Sequence, residues 1–399
     1  MIAYKRLAGI AMLAAGLISS GAVVARGQTF TRAASGWLYV VTSDYKTHKG
    51  RVLVVDPASG RIAGAMDKGY QPEVIPSSDG TRLFVTYDNS RGPGGAFEVI
   101  DGATGAVSLH IDEPYARGGI GSYSPRMVLS RDGSWLYRYK AEHSMENGYS
   151  YWIETFDAAA NVMLPERVKL PVCGWTAAMY PSAKRDTLFV VCPESEDVRI
   201  VNFSERGGSL EPRPARVTIG RGGQKGYPLP AFLNDGELTV IKTNGSFVKI
   251  STDTQSVIQR DAVDGAARAV PRQDDLPRSA TMPGAVTADV PNPSDWVAGR
   301  VLTGQEASVS ADGLRMFVNA PGKAGRSEFV ILNPATLEKI GSIPYGRRLD
   351  SFTMSEDAKL LYAIDRDNAQ IVIFDTKSGT ELRSISNVGP GAAFAIVAP

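Results

Sequence analysis

The fold is decided by residues 350–389, which read DSFTMSEDAKLLYAIDRDNAQIVIFDTKSGTELRSISNVG. Apolar and polar residues alternate through four short runs, and a polar turn separates each run from the next. This alternation with tight turns is typical of antiparallel strands joined by hairpins. Four such strands form one blade of a β-propeller.

The second run of this unit recurs along the chain roughly every 50 residues, apart from one longer gap before the sixth copy. The seven copies begin at Leu38, Leu83, Leu136, Leu188, Leu238, Met316 and Leu361. Two turns recur at fixed positions relative to these runs. Asp-Gly precedes the run at Asp79, Asp132, Asp235 and Asp312, and a second turn follows the third run at residues 56–60, 101–105, 333–336 and 375–379. The repeat predicts an all-β protein, a seven-bladed β-propeller.

The two ends of the chain carry complementary halves of one blade. The first copy begins directly with its second strand at Trp37, and the tail from Ala392 to Val397 reads as a first strand without successors. Pairing them would complete blade one and cover an edge that each half would otherwise expose. We therefore predict that the C-terminal strand closes the ring on the N-terminal blade.

Composition excludes some classes of partner. The 399 residues include 43 basic and 42 acidic side chains, a formal net charge of +1. This balance gives no field that would attract nucleic acid or an anionic membrane surface. A ring of blades accommodates the length because each blade is buried only against its neighbours.

The first 25 residues have the layout of a secretory signal peptide. Lys5 and Arg6 precede an apolar run over residues 7–18, and cleavage is expected after Ala22 or Ala25. The run is shorter than the roughly 20 apolar residues that cross a bilayer. The expectation is an exported, periplasmic protein whose residues 26–399 form the propeller.

Cys173 and Cys192 are the only two cysteines, and an oxidising compartment favours a disulfide between them. A hairpin that pairs Tyr180 with Arg185 would also pair Cys173 with Cys192. The bridge would contribute about 3 kcal/mol by constraining the unfolded chain. A redox-active pair is the alternative, although a Cys-x-x-Cys spacing is absent.

Residues 262–300 interrupt the repeat between blades five and six. They are rich in Pro, Ala, Asp and Arg and show neither the strand period nor the helix period. A solvated loop and a lid or docking arm are the two interpretations.

Aromatic and polar residues just before the inner strands would converge on one end of the central channel. The candidates are Tyr70, Gln71, Tyr123, Arg126, Trp175, Tyr227, Gln305, Glu306, Arg348 and Asp350. Converging groups in a concave site favour ligand or partner binding, whereas a plug of the channel is the structural alternative.

Catalytic motifs are absent from the sequence. It has no phosphate-binding loop, dinucleotide fingerprint, nucleophile elbow or haem motif. His48, His110 and His143 lie far apart, which argues against a metal site, and the acidic residues concentrate in turns. We expect no catalytic residue and no metal in this chain.

Several of these segments resemble the heavy subunit of the quinoprotein amine dehydrogenases, the methylamine and aromatic amine enzymes. The resemblance covers nearly the whole mature chain. The stretches that carry it are 350–363 and 378–384 in blade seven, 69–72 in blade two, 230–232 and 243–245 in blade five, and the spacing of Cys173 and Cys192. It implies a periplasmic seven-bladed propeller that binds a small, disulfide-rich light subunit.

That light subunit carries tryptophan tryptophylquinone, which oxidises a primary amine to an aldehyde and ammonia and passes electrons to a small copper protein or cytochrome. The resemblance places Tyr70 in the substrate channel. The sequence departs from the family at Leu229, Gly304 and Pro390, where the family carries aromatic or histidine residues. Two alternatives therefore stay open, a stand-alone exported binding propeller and a metal-dependent lactonase on the same fold.

Overall fold

A computed structural model shows seven four-stranded antiparallel sheets, which confirms the predicted all-β seven-bladed propeller. The structure describes residues 30–44, 46–89, 94–113, 127–144, 148–174, 177–182, 187–203, 215–219, 231–234, 236–241, 247–260, 307–310, 314–321, 327–334, 336, 338–347, 349, 351–355, 357–389, 391–392 and 394–398. Within these ranges every regular element is a strand. In the same part of the chain, no helix has the length and apolarity to span a bilayer.

The strands follow one another in chain order. Blade one contains β1 (Leu38–Asp44), β2 (Lys49–Asp56) and β3 (Arg61–Lys68). Blade two contains β4 (Tyr70–Pro76), β5 (Arg82–Asp88), β6 (Gly95–Asp101) and β7 (Val107–Glu113). Blade three contains β8 (Met127–Leu129), β9 (Trp135–Ser144), β10 (Gly148–Asp157) and β11 (Val162–Lys169). Blade four contains β12 (Ala178–Pro181), β13 (Thr187–Cys192), β14 (Asp197–Asn202) and β15 (Ala215–Thr218).

The second half of the ring repeats the arrangement. Blade five contains β16 (Ala231–Asn234), β17 (Glu237–Ile241), β18 (Phe247–Ser251) and β19 (Val257–Arg260). Blade six contains β20 (Ala307–Val309), β21 (Met316–Pro321), β22 (Ser327–Leu332) and β23 (Lys339–Tyr345). Blade seven contains β24 (Ser351–Met354), β25 (Leu360–Asp365), β26 (Gln370–Asp375) and β27 (Glu381–Ile385). The last strand, β28 (Phe394–Val397), belongs to the sheet of blade one.

The repeated turns adopt the conformations that their residues predict. Gly80 and Gly133 have φ of 64° and 72° in the turns before β5 and β9. In the turn after the third strand, the Gly105 N–H donates to the Asp101 carbonyl over 2.8 Å, and Gly105 has φ of 73°. Glycine suits both turns because it adopts positive φ without the strain that a Cβ brings.

The ring closes as predicted. β28 pairs antiparallel with β1, so that Leu38 lies opposite Val397 and Val41 lies opposite Phe394. The Ala398 N–H extends the ladder by donating to the Trp37 carbonyl over 2.7 Å. The edge of β1 is thereby covered from within the same chain.

Apolar side chains from alternate positions of each strand fill the interfaces between blades. In β1, Leu38 and Val40 pack with residues of blade seven, whereas Tyr39 and Val41 pack with residues of blade two. The same division recurs at the interfaces from blade two to blade five and between blades six and seven, because successive side chains of a strand point to opposite faces of its sheet.

The predicted disulfide is present, but the predicted register of its hairpin is wrong. Cys173 and Cys192 are bonded with a Cα–Cα distance of 4.4 Å, and both are buried. β12 and β13 pair Tyr180 with Phe189, four residues away from the expected partner Arg185. Pro181 continues the strand, so the turn comes later than the proline suggested. Cys173 precedes β12, which begins at Ala178, so it lies outside the ladder that pairs β12 with β13, and its neighbour Gly174 has φ of 96°.

Two further predictions fall outside the described residues. The signal peptide over residues 1–25 and the insertion over residues 262–300 both lie there. They stay predictions.

Candidate functional site

Tyr70 begins the inner strand of blade two. It lies at the face of the ring where the outer strand of each blade continues into the inner strand of the next blade, which we call the connecting face. The residue is buried, with 9% of its surface exposed. Tyr70 pairs with Asp88, and the register then shifts before Glu73 pairs with Thr86. The shift is a bulge, in which Gln71 has φ of 51°.

Glycines let the backbone of three strands approach closely beside Tyr70. A Cβ on Gly50 of β2 would lie 2.3 Å from the Gly69 carbonyl oxygen and 2.3 Å from Pro72 Cδ. A Cβ on Gly69 would lie 2.3 Å from the Tyr87 ring. The segment from Gly69 to Pro72 is therefore held between the hairpin of blade one and the second strand of blade two, and its position is defined on both sides.

His48 contacts the Tyr70 ring from blade one. The two ring centroids lie 5.1 Å apart at an interplanar angle of 61°, an edge-to-face arrangement. His48 lies in the turn between β1 and β2, and Asp44 fixes that turn by accepting the Lys46 N–H over 2.8 Å and the Thr47 hydroxyl over 2.8 Å. The Thr47 hydroxyl, followed by the Lys46 N–H, lowers the pKa of Asp44.

Glu73 is a buried carboxylate on the same inner strand. Its Oε1 accepts the backbone N–H of Met127, the first residue of β8, over 3.2 Å. This bond links the inner strands of blades two and three, three residues after Tyr70 on β4.

Polar side chains also join neighbouring blades at the connecting face. At the end of β3, Lys68 forms an ion pair with Glu98 of β6, and both side chains are less than a tenth exposed. Burial alone raises the pKa of Glu98, but hydrogen bonds from Lys68, Tyr87 and His110 outweigh it and leave that pKa lowered. The Tyr87 hydroxyl donates to Glu98 over 2.8 Å, and burial, followed by this carboxylate, raises the pKa of Tyr87.

Equivalent contacts recur at two other interfaces. Glu113, at the end of β7, pairs with the buried Arg138 of β9. Tyr345, at the end of β23, places its hydroxyl 3.4 Å from the carboxylate of Asp365 on β25. In each case the last residue of an outer strand reaches the second or third strand of the following blade. We call these three contacts the inter-blade clasps.

Blade three carries a ladder of charges on the side that faces blade two. On the three neighbouring strands β9, β10 and β11, Arg138 lies opposite Glu154, which lies opposite Arg167. Two residues along each strand, the cross-strand neighbours are Lys140, Trp152 and Lys169. Arg138 Nη1 lies 3.3 Å from Glu154 Oε2, and the Arg167 guanidinium lies 4.4 Å from the centre of the Trp152 ring. The buried charge of Arg138 is therefore balanced by two carboxylates, Glu154 within the ladder and Glu113 from blade two.

Sequence reasoning missed the clasps and the ladder. One signal was available, because Arg138 occupies the third position of the repeated second strand, where most other copies have Val. Its partners lie far from it in sequence, and the repeat alone does not identify them.

Only two of the residues predicted for the channel mouth lie within the described ranges, and their position relative to a channel stays a prediction. Tyr70 and Gln71 lie next to each other at the bulge in β4. The other candidates lie outside the described residues: Tyr123, Arg126, Trp175, Tyr227, Gln305, Glu306, Arg348 and Asp350. Their convergence on the channel stays a prediction.

In the described part of the chain, no group of three His, Cys, Asp or Glu side chains is arranged to hold a metal ion. Many aspartates organise turns instead. The Thr104 hydroxyl, followed by the Thr104 N–H, lowers the pKa of Asp101, and the Ser378 N–H, followed by the Ser378 hydroxyl, lowers the pKa of Asp375.

Fold and site together define the class as a seven-bladed β-propeller in which His48 of blade one contacts Tyr70 of blade two at the connecting face. Within that class, residues 320–398 match the family model described as methylamine dehydrogenase heavy chain (MADH). The methylamine dehydrogenase heavy chain of Paracoccus versutus is 26% identical over 358 residues, which cover 85% of this chain and 74% of that protein.

Two solved structures show how widely the fold is shared. A periplasmic gluconolactonase of Pseudomonas aeruginosa is 15% identical, with a TM-score of 0.57 over 91% of this chain and 99% of that chain. A functionally unknown protein from Desulfotomaculum acetoxidans is 12% identical, with a TM-score of 0.58 over 91% of this chain and 99% of that chain. At these identities the likeness shows the fold alone.

Proposed function

We propose that this chain is the heavy subunit of a periplasmic amine dehydrogenase, which oxidises a primary amine to an aldehyde and ammonia. The observation that carries the proposal is the similarity to a methylamine dehydrogenase heavy chain, 26% identity over 358 residues. The family model adds support, because its match covers most of blade six, all of blade seven and the closing strand.

The redox chemistry belongs to the partner in this proposal. A small light subunit supplies tryptophan tryptophylquinone, which accepts electrons from the amine, and a small copper protein or a cytochrome removes them. This chain has two cysteines, and both are used in one disulfide, so it serves as the scaffold rather than as the disulfide-rich light subunit.

The role of this chain is to present a shaped opening to the partner. Tyr70 lies at the connecting face, its ring is almost fully buried, and its backbone is held by close contacts of Gly50 and Gly69. A fixed aromatic ring at a channel mouth excludes water and limits the size of the amine that passes. Tyr70 is therefore a substrate-channel residue in this proposal.

The test is co-expression with a light subunit. Its gene is expected beside that of this chain and encodes a short exported protein with many cysteines. The purified complex should reduce an artificial electron acceptor in the presence of a primary amine and release ammonia. The chain expressed alone is the control. A complex that contains the quinone but shows no amine-dependent reduction with aliphatic or aromatic amines would contradict the proposal.

The alternative is a stand-alone exported binding propeller. Purification of the chain from its native cells distinguishes the two functions, because an amine dehydrogenase co-purifies with a quinone-bearing protein. Metal analysis of the same sample tests the lactonase alternative.

A further inference from the structure

The turn between β1 and β2 lies over the segment that carries Tyr70. Gly50, at the start of β2, approaches both Gly69 and Pro72 so closely that a Cβ would collide with them. The start of β2 therefore rests against the Gly69 carbonyl and the Pro72 ring, which lie on either side of Tyr70 in the sequence. The only described aromatic side chain of the turn, His48, meets the edge of the Tyr70 ring.

The backbone of this turn is specified in detail. His48 has φ of 53°, in the left-handed region, where His, Asn and Asp are several-fold enriched among non-glycine residues. Asp44 holds the preceding residues by hydrogen bonds to Lys46 and Thr47. The imidazole is thus directed at Tyr70 by a structured turn, although His48 itself is exposed.

The residue that follows Tyr70 also has an unusual backbone conformation. Gln71 also adopts positive φ, at 51°, within the bulge of β4. The bulge interrupts pairing with β5 at the residues just after Tyr70, so the ladder alone does not fix the ring. The contact from blade one supplies a constraint that the strand pairing lacks.

We propose that His48 is a positioning residue, which holds the Tyr70 ring across the interface of blades one and two and so sets the width of the channel mouth. The consequence for amine selection rests on the function proposed above. The positioning itself does not, and it is tested separately.

The first experiment measures the accessibility of Tyr70 in the purified chain. Tetranitromethane nitrates exposed tyrosines, and mass spectrometry quantifies nitration of the peptide that contains Tyr70. The wild-type residue, 9% exposed, should react slowly. His48→Asn removes the ring and keeps a residue type that tolerates positive φ, so the fold is retained. Nitration of Tyr70 should rise several-fold in this variant.

Two further variants complete the design. His48→Tyr restores an aromatic edge and should bring nitration back towards the wild-type rate. Lys46→Ala changes an exposed residue of the same turn and should leave the rate unchanged. Unchanged nitration of Tyr70 in His48→Asn, with thermal unfolding like that of the wild type, would overturn the proposal.

The second experiment uses the complex with the light subunit. Loss of the His48 contact should change the ratio of kcat/KM for a bulky amine over methylamine by about tenfold, mainly through KM. An unchanged ratio, with raised nitration, would remove the consequence for selection and keep the positioning. A wild-type complex without any amine oxidation would count against the proposed function, while the nitration result would still decide the role of His48.

Discussion

Lys68, the last residue of blade one's outer strand, forms a buried ion pair with Glu98 in the third strand of blade two. The same carboxylate accepts the Tyr87 hydroxyl and contacts His110 Nδ1 over 2.9 Å. The Glu98 carboxylate therefore joins blades one and two beside the segment that leads into Tyr70. The clasp shows how the connecting face is held together where apolar packing gives way to polar side chains.

Removing either partner of this pair should be costly. Lys68→Met leaves the buried Glu98 without its cation and Glu98→Gln leaves the buried Lys68 without its counter-charge, and we expect a loss of about 3–5 kcal/mol in the free energy of unfolding. Denaturant titration measures it. The neighbouring pair of Arg51 and Asp67 is exposed, at 45% and 87% of the side chains, and Asp67→Asn should cost less than about 1 kcal/mol. Equal losses in Lys68→Met and Asp67→Asn would contradict the role of the clasp.

His110 should make the clasp pH-dependent. Its hydrogen bond to Glu98, followed by that to Asp112, raises the pKa of His110. Its stabilising effect is therefore complete below the unfolded-state pKa of about 6.5 and is lost as the pH rises through the higher folded-state pKa. The difference in stability between wild type and His110→Gln should be larger at about pH 5.5 than at about pH 9. Thermal unfolding at the two pH values checks it, and an NMR titration that finds an unshifted His110 would contradict it.

The disulfide should contribute substantially to stability. The bridge joins residues 19 apart in sequence, and a loop of this size corresponds to about 3 kcal/mol. Cys173→Ala with Cys192→Ala should lower the free energy of unfolding by that amount, and reduction of the wild type should have a similar effect. A double variant as stable as the oxidised wild type would show that the bridge is dispensable.

Closure of the ring should depend on the last residues of the chain. Truncation after Gly391 removes β28 and exposes the edge of β1 from Leu38 to Val41. An exposed edge pairs with other chains, so the truncated protein should aggregate, as light scattering would show. A synthetic peptide of residues 392–399 should reduce the aggregation. A truncated chain that stays monomeric with an unchanged Tm would refute this view of closure.

Two equivalent turn glycines provide a matched test of packing. Gly60 and Gly105 have φ of 75° and 73°. Gly60→Ala should cost about 1–2 kcal/mol for the left-handed conformation, because the new Cβ would meet only Ile385 at 3.8 Å. Gly105→Ala should cost more, because its Cβ would lie 2.8 Å from Phe30. Equal unfolding free energies for the two variants would contradict the close approach of Phe30.

The fold could be predicted because its information is local and repeated. The seven copies of the second strand, starting with Leu38, all lie in the expected strands, and the strand that includes Phe394 closes the ring as expected. The disulfide was predictable from two cysteines, yet the register of the hairpin formed by β12 and β13 was not. Pro181 suggested an early turn, whereas the strand continues through it and Tyr180 pairs with Phe189.

The site was less predictable. The GYQP motif, residues 69–72, marked Tyr70, but nothing in the sequence indicated that His48 from another blade would contact its ring. Arg138 was visible as a charge at an apolar position, without any indication that Glu113 and Glu154 would neutralise it.

By itself the sequence determined the number of blades, the turns and the closure of the ring, because strand alternation and turn residues act within one hairpin and repeat seven times. Only the tertiary structure decided which charges are paired and what holds Tyr70. Those contacts cross between blades, where the partners come from distant parts of the chain and their approach depends on how neighbouring sheets pack.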